Sequence, residues 1–323
     1  MTEAAALAGN DAAAAEQRAA LRADALAGLL APRKTLPCKW LYDAEGAGLF
    51  EAITRLPEYY PTRTEIGILR EQAPSIAAAV DPGATVVEFG PGDGAKAVLL
   101  LSRLRAPAAY VPVEIAPEWL DAVAARVSEG VPGVPVLPVV ADFTRSFALP
   151  PAIPRSRRLG FFPGSTIGNF EPTEAADLLR RFRAALRPGA RLLLGADLVK
   201  DRAVLEAAYD DAAGVTAAFN LNLLRRLNRE LGADFDVPAF RHRALWNPEE
   251  ERVEMHLVST RAQRARLAGR EIRFQAGETV HTESSQKYRP ERLEALADAA
   301  GWRPLEMWTD PGRLFSVWLL EAR

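Results

Sequence analysis

A glycine loop, two glutamates and an aspartate stand in an order that suits a nucleoside cofactor. Glu88-Phe-Gly-Pro-Gly-Asp-Gly94 follows a short apolar run. Gly90 and Gly92 let the backbone approach a ligand where a Cβ would collide. Glu114 comes 24 positions after Gly90 and can accept both hydroxyls of a ribose. Asp142-Phe143 suits an adenine, with Asp142 at the exocyclic amine and Phe143 at the ring by backbone or side chain. Lys96 follows the loop and either positions the ligand or covers helix surface. Alone, Gly90-Pro-Gly-Asp-Gly-Ala95 also fits a dinucleotide fingerprint with alanine last, or a plain strand–helix turn. The ordered set favours a nucleoside without a pyrophosphate over a nicotinamide or flavin.

These residues need strand ends to hold them, and residues 84–198 supply the rhythm. Ala84–Gly90, Tyr110–Ile115, Val136–Val140, Leu159–Phe162 and Arg191–Leu194 read as buried strands. Helices are predicted up to about Arg105, near 117–128 and over Glu171–Leu186, the last with Pro172 at its start and Pro188-Gly189 after its end. Alternating strand and helix imply a parallel sheet with crossovers on both faces. Ligands of such sheets bind beyond the carboxyl ends of the strands. The pattern breaks after 198. Residues 199–232 read as helical, and Phe240–Trp246, Val253–Thr260, Glu271–Phe274 and Thr279–Glu283 as antiparallel strands. A helix over Pro290–Ala299 and a hairpin of Leu305–Trp308 with Leu314–Glu321 close the sheet. The predicted fold is α/β: a doubly wound, mostly parallel seven-stranded sheet in residues 80–198 and 287–323. Residues 21–79 and 199–286 form a second α+β domain, and residues 1–20 a mostly disordered or fraying helical start.

Composition narrows the chemistry. The single cysteine, Cys38, excludes an internal disulfide and a cysteine-clustered zinc site. Three scattered histidines, His242, His256 and His281, do not make a metal centre, so no metal is expected. A net charge of −2 gives no electrostatic grip on nucleic acid or anionic lipid. Arg261, Arg264, Arg266, Arg270 and Arg273 are an RNA-binding candidate, weighed against a solvated hairpin loop. The alanine-rich start lacks the basic region of a secretory signal, and no apolar run reaches membrane-span length. A cytoplasmic monomer acting on a small molecule is expected.

A second group of motifs carries a resemblance. They are Leu36-Pro-Cys-Lys-Trp-Leu-Tyr42, Leu56-Pro-Glu-Tyr-Tyr-Pro-Thr-Arg-Thr-Glu65, Phe162-Pro-Gly-Ser-Thr-Ile-Gly-Asn169, Ala217-Ala-Phe-Asn220, Glu254-Met-His-Leu257 and His281-Thr-Glu-Ser-Ser285. Over about residues 35–323 the chain resembles the bacterial L-histidine Nα-methyltransferases of ergothioneine biosynthesis. The resemblance implies S-adenosyl-L-methionine as cofactor and three methyl transfers to the histidine α-amine, giving the betaine hercynine. It implies Tyr59 and Asn169 as the groups that orient the amine. It also implies Tyr209 at the substrate carboxylate, Glu283 and Ser285 at the imidazole, and Met255 as an apolar wall. Tyr42, Tyr59 and Phe219 offer aromatic faces to a methylated ammonium, and Tyr42 also reaches the cofactor.

Each residue has a plain structural alternative. Asn169 suits a helix N-cap. Tyr209 suits the core of an amphipathic helix, Met255 a core gap and Glu283 a solvated strand edge. Methylation of another aromatic amino acid such as tryptophan is the competing activity, and a catalytically silent binding protein of the same fold the competing class. A buried carboxylate facing an indole argues against tryptophan. The chain departs from the family's pattern in its Pro-Gly-Asp-Gly-Ala loop and in Glu114, where many relatives carry aspartate.

Overall fold

The computed structural model describes residues 3–115, 117–153 and 157–323. Two compact units divide the chain: residues 60–200 with 286–323, and residues 1–59 with 201–285. Residues 60–79 thus group with the parallel sheet, whereas they are predicted from the sequence to lie with the insertion. The reason is local: Ile68, Leu69 and Ile76 are buried among the sheet's own side chains.

The first unit holds a seven-stranded sheet. Its order is Trp302–Thr309, Phe315–Ala322, Arg191–Asp197, Arg158–Phe162, Thr85–Phe89, Ala109–Glu114 and Val139–Val140. Five strands run parallel, and the C-terminal hairpin joins Arg191–Asp197 antiparallel. Thr85–Phe89 is buried throughout, as a strand covered on both faces must be. Alternate side chains serve opposite faces. Val87 and Phe89 join helices Pro172–Leu186 and Pro290–Ala299 on one side, where Phe89 stacks on Phe182 at 3.7 Å. Val86 packs on the other side with Ala97, Val123 and Val127 from helices Ala95–Leu101 and Pro117–Gly130. Val139–Val140 is shorter than the predicted Val136–Val140. Pro138 has no amide to donate, so Val136 is left as an isolated bridge to Tyr110.

The second unit holds a four-stranded sheet in the order Lys34–Thr35, Thr279–Gln286, Arg252–Ser259, Phe240–Asn247. Residues 199–232 resolve into two helices. Arg202–Tyr209 is capped by Asp201, and at the start of Val215–Leu231 the Asp211 carboxylate accepts from the Val215 and Thr216 amides. A separate hairpin pairs Gln263–Leu267 with Arg270–Phe274 through Ala268 and Gly269, both at positive φ. The predicted loop at 263–267 is therefore a strand. Ala265, Leu267, Ile272 and Phe274 face inward, and the five arginines are exposed. Arg264 and Arg273 both pair with Glu271.

The start, read from the sequence as disordered or a fraying helix, is helical. Helix Glu3–Leu29 covers all but the first two residues of 1–20, and those two lie outside the described residues. Alanine is the best helix former, and Leu21, Ala25 and Leu29, spaced by four, give the helix a buried stripe.

Candidate active site

On the parallel-sheet unit, Phe89, Glu114 and Val140 end three neighbouring strands, with Glu88 one residue inside the first. The loop after Glu88 turns on Gly90, Gly92 and Gly94, all in the left-handed region at φ 69°, 55° and 78°. Those angles are open to glycine at little cost and strain other residues. Glu88 is fully buried, and burial pushes its carboxyl up to about 8 despite the hydroxyl of Tyr110 donating to Oε2 at 2.5 Å. Glu88 Oε1 is buried with no protein partner among the described residues. Such an atom beside a glycine cradle fits a ligand that donates to it.

The other sequence-predicted cofactor residues fall around this loop in different states. Glu114 is half-buried, and one of its oxygens accepts from the Ile115 amide at 2.7 Å. Asp142 Oδ1 accepts from the Thr144 amide at 2.9 Å and the Thr144 hydroxyl at 2.5 Å, and Oδ2 faces Arg145 at 3.4 Å. The Phe143 ring packs edge-on to Phe162 at 5.9 Å and near Phe89 and Phe182. The half-buried ring also lies beside the glycine loop, 3.5 Å from where a Cβ on Gly90 would stand. Lys96 forms an ion pair with Glu65. Glu65 is 1% exposed and accepts the Gly164 amide with both oxygens at 2.9 Å.

Gly164 opens the loop that carries Asn169. Ser165 is left-handed at φ 56°, and the turn Thr166–Asn169 follows. Asn169 is half-buried and does not cap the next helix. Glu171 does, in a reciprocal capping box with Glu174. The N-cap alternative for Asn169 is thereby removed.

On the second unit, the predicted substrate residues gather. Tyr42 lies edge-on to Phe219 at 5.4 Å, and Tyr59 to Tyr209 at 6.1 Å. Between them stands Phe50, 5.5 Å from Tyr42, 6.2 Å from Tyr59 and 6.1 Å from Phe219. The sequence does not single out Phe50; its one signal is its place between the motifs ending at Tyr42 and beginning at Leu56. Tyr42 is held by its neighbour Asp43, which caps helix Ala44–Ile53 and accepts from Asn222 at 2.7 Å.

The polar end of this group is also assembled. The hydroxyls of Tyr209 and Ser285 share a hydrogen bond of 2.8 Å. Glu283 is 7% exposed on strand Thr279–Gln286, so it is not a solvated edge charge, although the outer strand Lys34–Thr35 pairs only with Val280 and His281. Tyr42 is 39% exposed, yet desolvation of its phenol, and next the charge of Glu283, hold it well above its ordinary range. Met255 is buried, and its carbonyl accepts from Thr282 at 3.0 Å. Among the described residues no group of three or more His, Cys, Asp or Glu is placed to hold a metal, and no helix is long and apolar enough to cross a membrane.

A doubly wound sheet closed by an antiparallel hairpin, with a glycine loop and carboxylates at its strand ends, defines the class of S-adenosylmethionine-dependent methyltransferases. The family model described as histidine-specific, SAM-dependent methyltransferase matches residues 21–322, so the chain belongs to that family. Histidine N-alpha-methyltransferase of Mycolicibacterium smegmatis is 47% identical over 92% of this chain and 94% of its own length. The protein of the same name from Mycobacterium tuberculosis is 45% identical over the same shares. Ergothioneine biosynthesis protein 1 of Neurospora crassa is 31% identical over 86% of this chain and 32% of its own.

Proposed function

We propose that this enzyme transfers three methyl groups to the α-amine of L-histidine, giving hercynine, and so performs the first step of ergothioneine formation. One observation carries the reading: buried Glu283 lies two residues before Ser285 on one strand, and the Ser285 hydroxyl shares a hydrogen bond with Tyr209. That group offers both an acceptor and a hydroxyl to an imidazole, with aromatic rings alongside. The names of the mycobacterial relatives support histidine, and that of the Neurospora relative supports ergothioneine.

Bound S-adenosylmethionine supplies an activated sulfonium methyl, and its sulfur keeps the electron pair of the broken S–CH₃ bond. The residues' tasks are then alignment and exclusion of water. The attacking amine must be neutral. Its ordinary pKa is about 8, so binding the neutral fraction suffices. Tyr59 and Asn169 orient the lone pair, since a carboxamide can accept from the amine and donate to the carboxylate. After the first and second transfers the amine sheds a proton and attacks again. After the third it is a fixed cation, which the faces of Tyr42 and Phe219 accommodate.

Incubation with S-adenosylmethionine and a panel of amino acids, followed by mass spectrometry, tests the reading. Histidine and its monomethyl and dimethyl forms should all end as the trimethyl betaine. Products that stop at one methyl with excess cofactor would sink the proposal of three transfers, and an unmethylated histidine would sink the substrate. For the cofactor, Glu114→Ala should weaken S-adenosylmethionine binding by roughly 1–3 kcal/mol through loss of charged hydrogen bonds to the ribose. Calorimetry reads that directly, and unchanged affinity would mean the ribose is held elsewhere.

A further inference from the structure

The chain passes from one unit to the other three times, at 59/60, 200/201 and 285/286. Within the parallel-sheet unit, side chains beside all three passages converge on one carboxylate. Asp197 is fully buried at the end of strand Arg191–Asp197. The Tyr60 hydroxyl lies 2.9 Å and 2.7 Å from its two oxygens. Lys200 Nζ donates to Oδ1 at 2.5 Å and to the Tyr60 hydroxyl at 2.6 Å. Lys287 Nζ, also fully buried, sits 2.7 Å from Oδ2. The backbone joins in. The Tyr288 amide donates to the Asp197 carbonyl at 2.8 Å, and the Asp197 amide donates to Ser165 Oγ at 2.9 Å.

Two buried lysines on one buried aspartate are an expensive way to obtain stability. Apolar side chains of similar volume often hold a core as well or better. Burial alone would raise the Asp197 carboxyl, yet Lys287 and Lys200 hold it below its ordinary range. Burial pushes Lys200 down to about 8 against the pull of Asp197, with Lys287 adding to the fall and Asp310 opposing it. What this arrangement provides that apolar packing does not is direction. Each tie has a defined length and angle, and all share one anchor.

We propose that Asp197 is a positioning residue for methyl transfer: by holding Tyr60, Lys200 and Lys287, and through its amide Ser165, it fixes the backbone immediately next to Tyr59, Ser285 and the loop of Asn169. Tyr59 is the covalent neighbour of Tyr60, and Ser285 lies two residues before Lys287. Ser165, tied to the Asp197 amide, lies four residues before Asn169. The inference rests on the roles given above to Tyr59, Asn169 and Ser285. None of the four clustered side chains needs to touch substrate. They act through the backbone that carries those that do, where a displacement of about 1 Å can cost 100-fold.

The test compares full-length Tyr60→Phe, Lys200→Met and Asp197→Asn with wild type. The readouts are kcat and KM for histidine, S-adenosylmethionine affinity by calorimetry, and Tm. Leu293→Ala, in the core beside helix Pro172–Leu186, is the control for loss of stability alone. Tyr60→Phe should lower kcat by about 10-fold or more while cofactor affinity changes by less than about twofold. The double variant Tyr60→Phe/Lys200→Met should fall little further than either single, because both act through one anchor. If the Tyr60→Phe and Lys200→Met variants keep kcat within about twofold, or lose it only in step with Tm as Leu293→Ala does, the proposal is overturned. Should Asp197→Asn not fold, those two variants decide the matter, since each leaves the carboxylate with a lysine. If wild type methylates a different amino acid of the panel, the substrate reading fails, and the same comparison is made on that amino acid.

Discussion

Glu283→Ala is expected to cut kcat/KM for histidine by about 2–4 kcal/mol of transition-state binding, or roughly 30- to 900-fold. The side chain is buried on its strand, next but one to a serine already engaged by Tyr209. A site built around a polar partner rejects molecules that lack it, because its own buried groups are left unpaired. The same substitution should cost tryptophan turnover little, since an indole gains nothing from the carboxylate and is relieved of its desolvation. Adding Met255→Val removes buried side-chain volume at a position 2% exposed and should let an indole-bearing amino acid gain further ground. Steady-state kinetics of both amino acids on the single and double variants measure the shift. A histidine-to-tryptophan ratio unmoved by Glu283→Ala would mean that this carboxylate does not read the imidazole.

The solvated-edge alternative for Glu283 shows what a sequence can and cannot convey. Its strand is legible from composition, but the side chains packed over it are not, and they bury a carboxylate that reads as exposed. The parallel sheet is legible because strands of Thr85–Phe89 type are short apolar runs with a glycine or an acid at or within two residues of their ends. The shortening at Pro138 was available in principle, since a missing amide is a property of the residue itself. Strand Gln263–Leu267 carries the alternation of a half-buried strand, but the cluster of arginines reads as a solvated loop and hides it. Phe50 is hidden for a different reason: an aromatic in an apolar helix looks like ordinary core. The Asp197 and Glu65 clusters have no local signature at all. Tyr60 and Asp197 are 137 positions apart, and Glu65 and Gly164 are 99. Lys96 reads as a cofactor ligand from its place after the glycine loop, yet its ammonium is paired with Glu65.

That pairing leads to the second large effect. Glu65→Ala should lower the unfolding free energy by about 3–5 kcal/mol, the range for removing one partner of a buried pair. The Lys96 side chain is 18% exposed, so water offsets part of its loss and the lower end is expected. Room for Glu65 is made by Gly195 on the strand beneath, where an added Cβ would stand 2.0 Å from Oε1. The carboxylate has two tasks that a double variant separates. Glu65→Leu/Lys96→Met replaces the pair with apolar groups and should recover much of the stability. It cannot replace the two bonds to the Gly164 amide, which fix the start of the loop that carries Asn169. Activity should therefore stay low in the double variant while stability returns. Chemical denaturation and kcat/KM, measured on the single and double variants, read the two quantities independently. If they recover together, Glu65 serves only as the counter-charge of Lys96, and the loop is held by its own turn at Ser165.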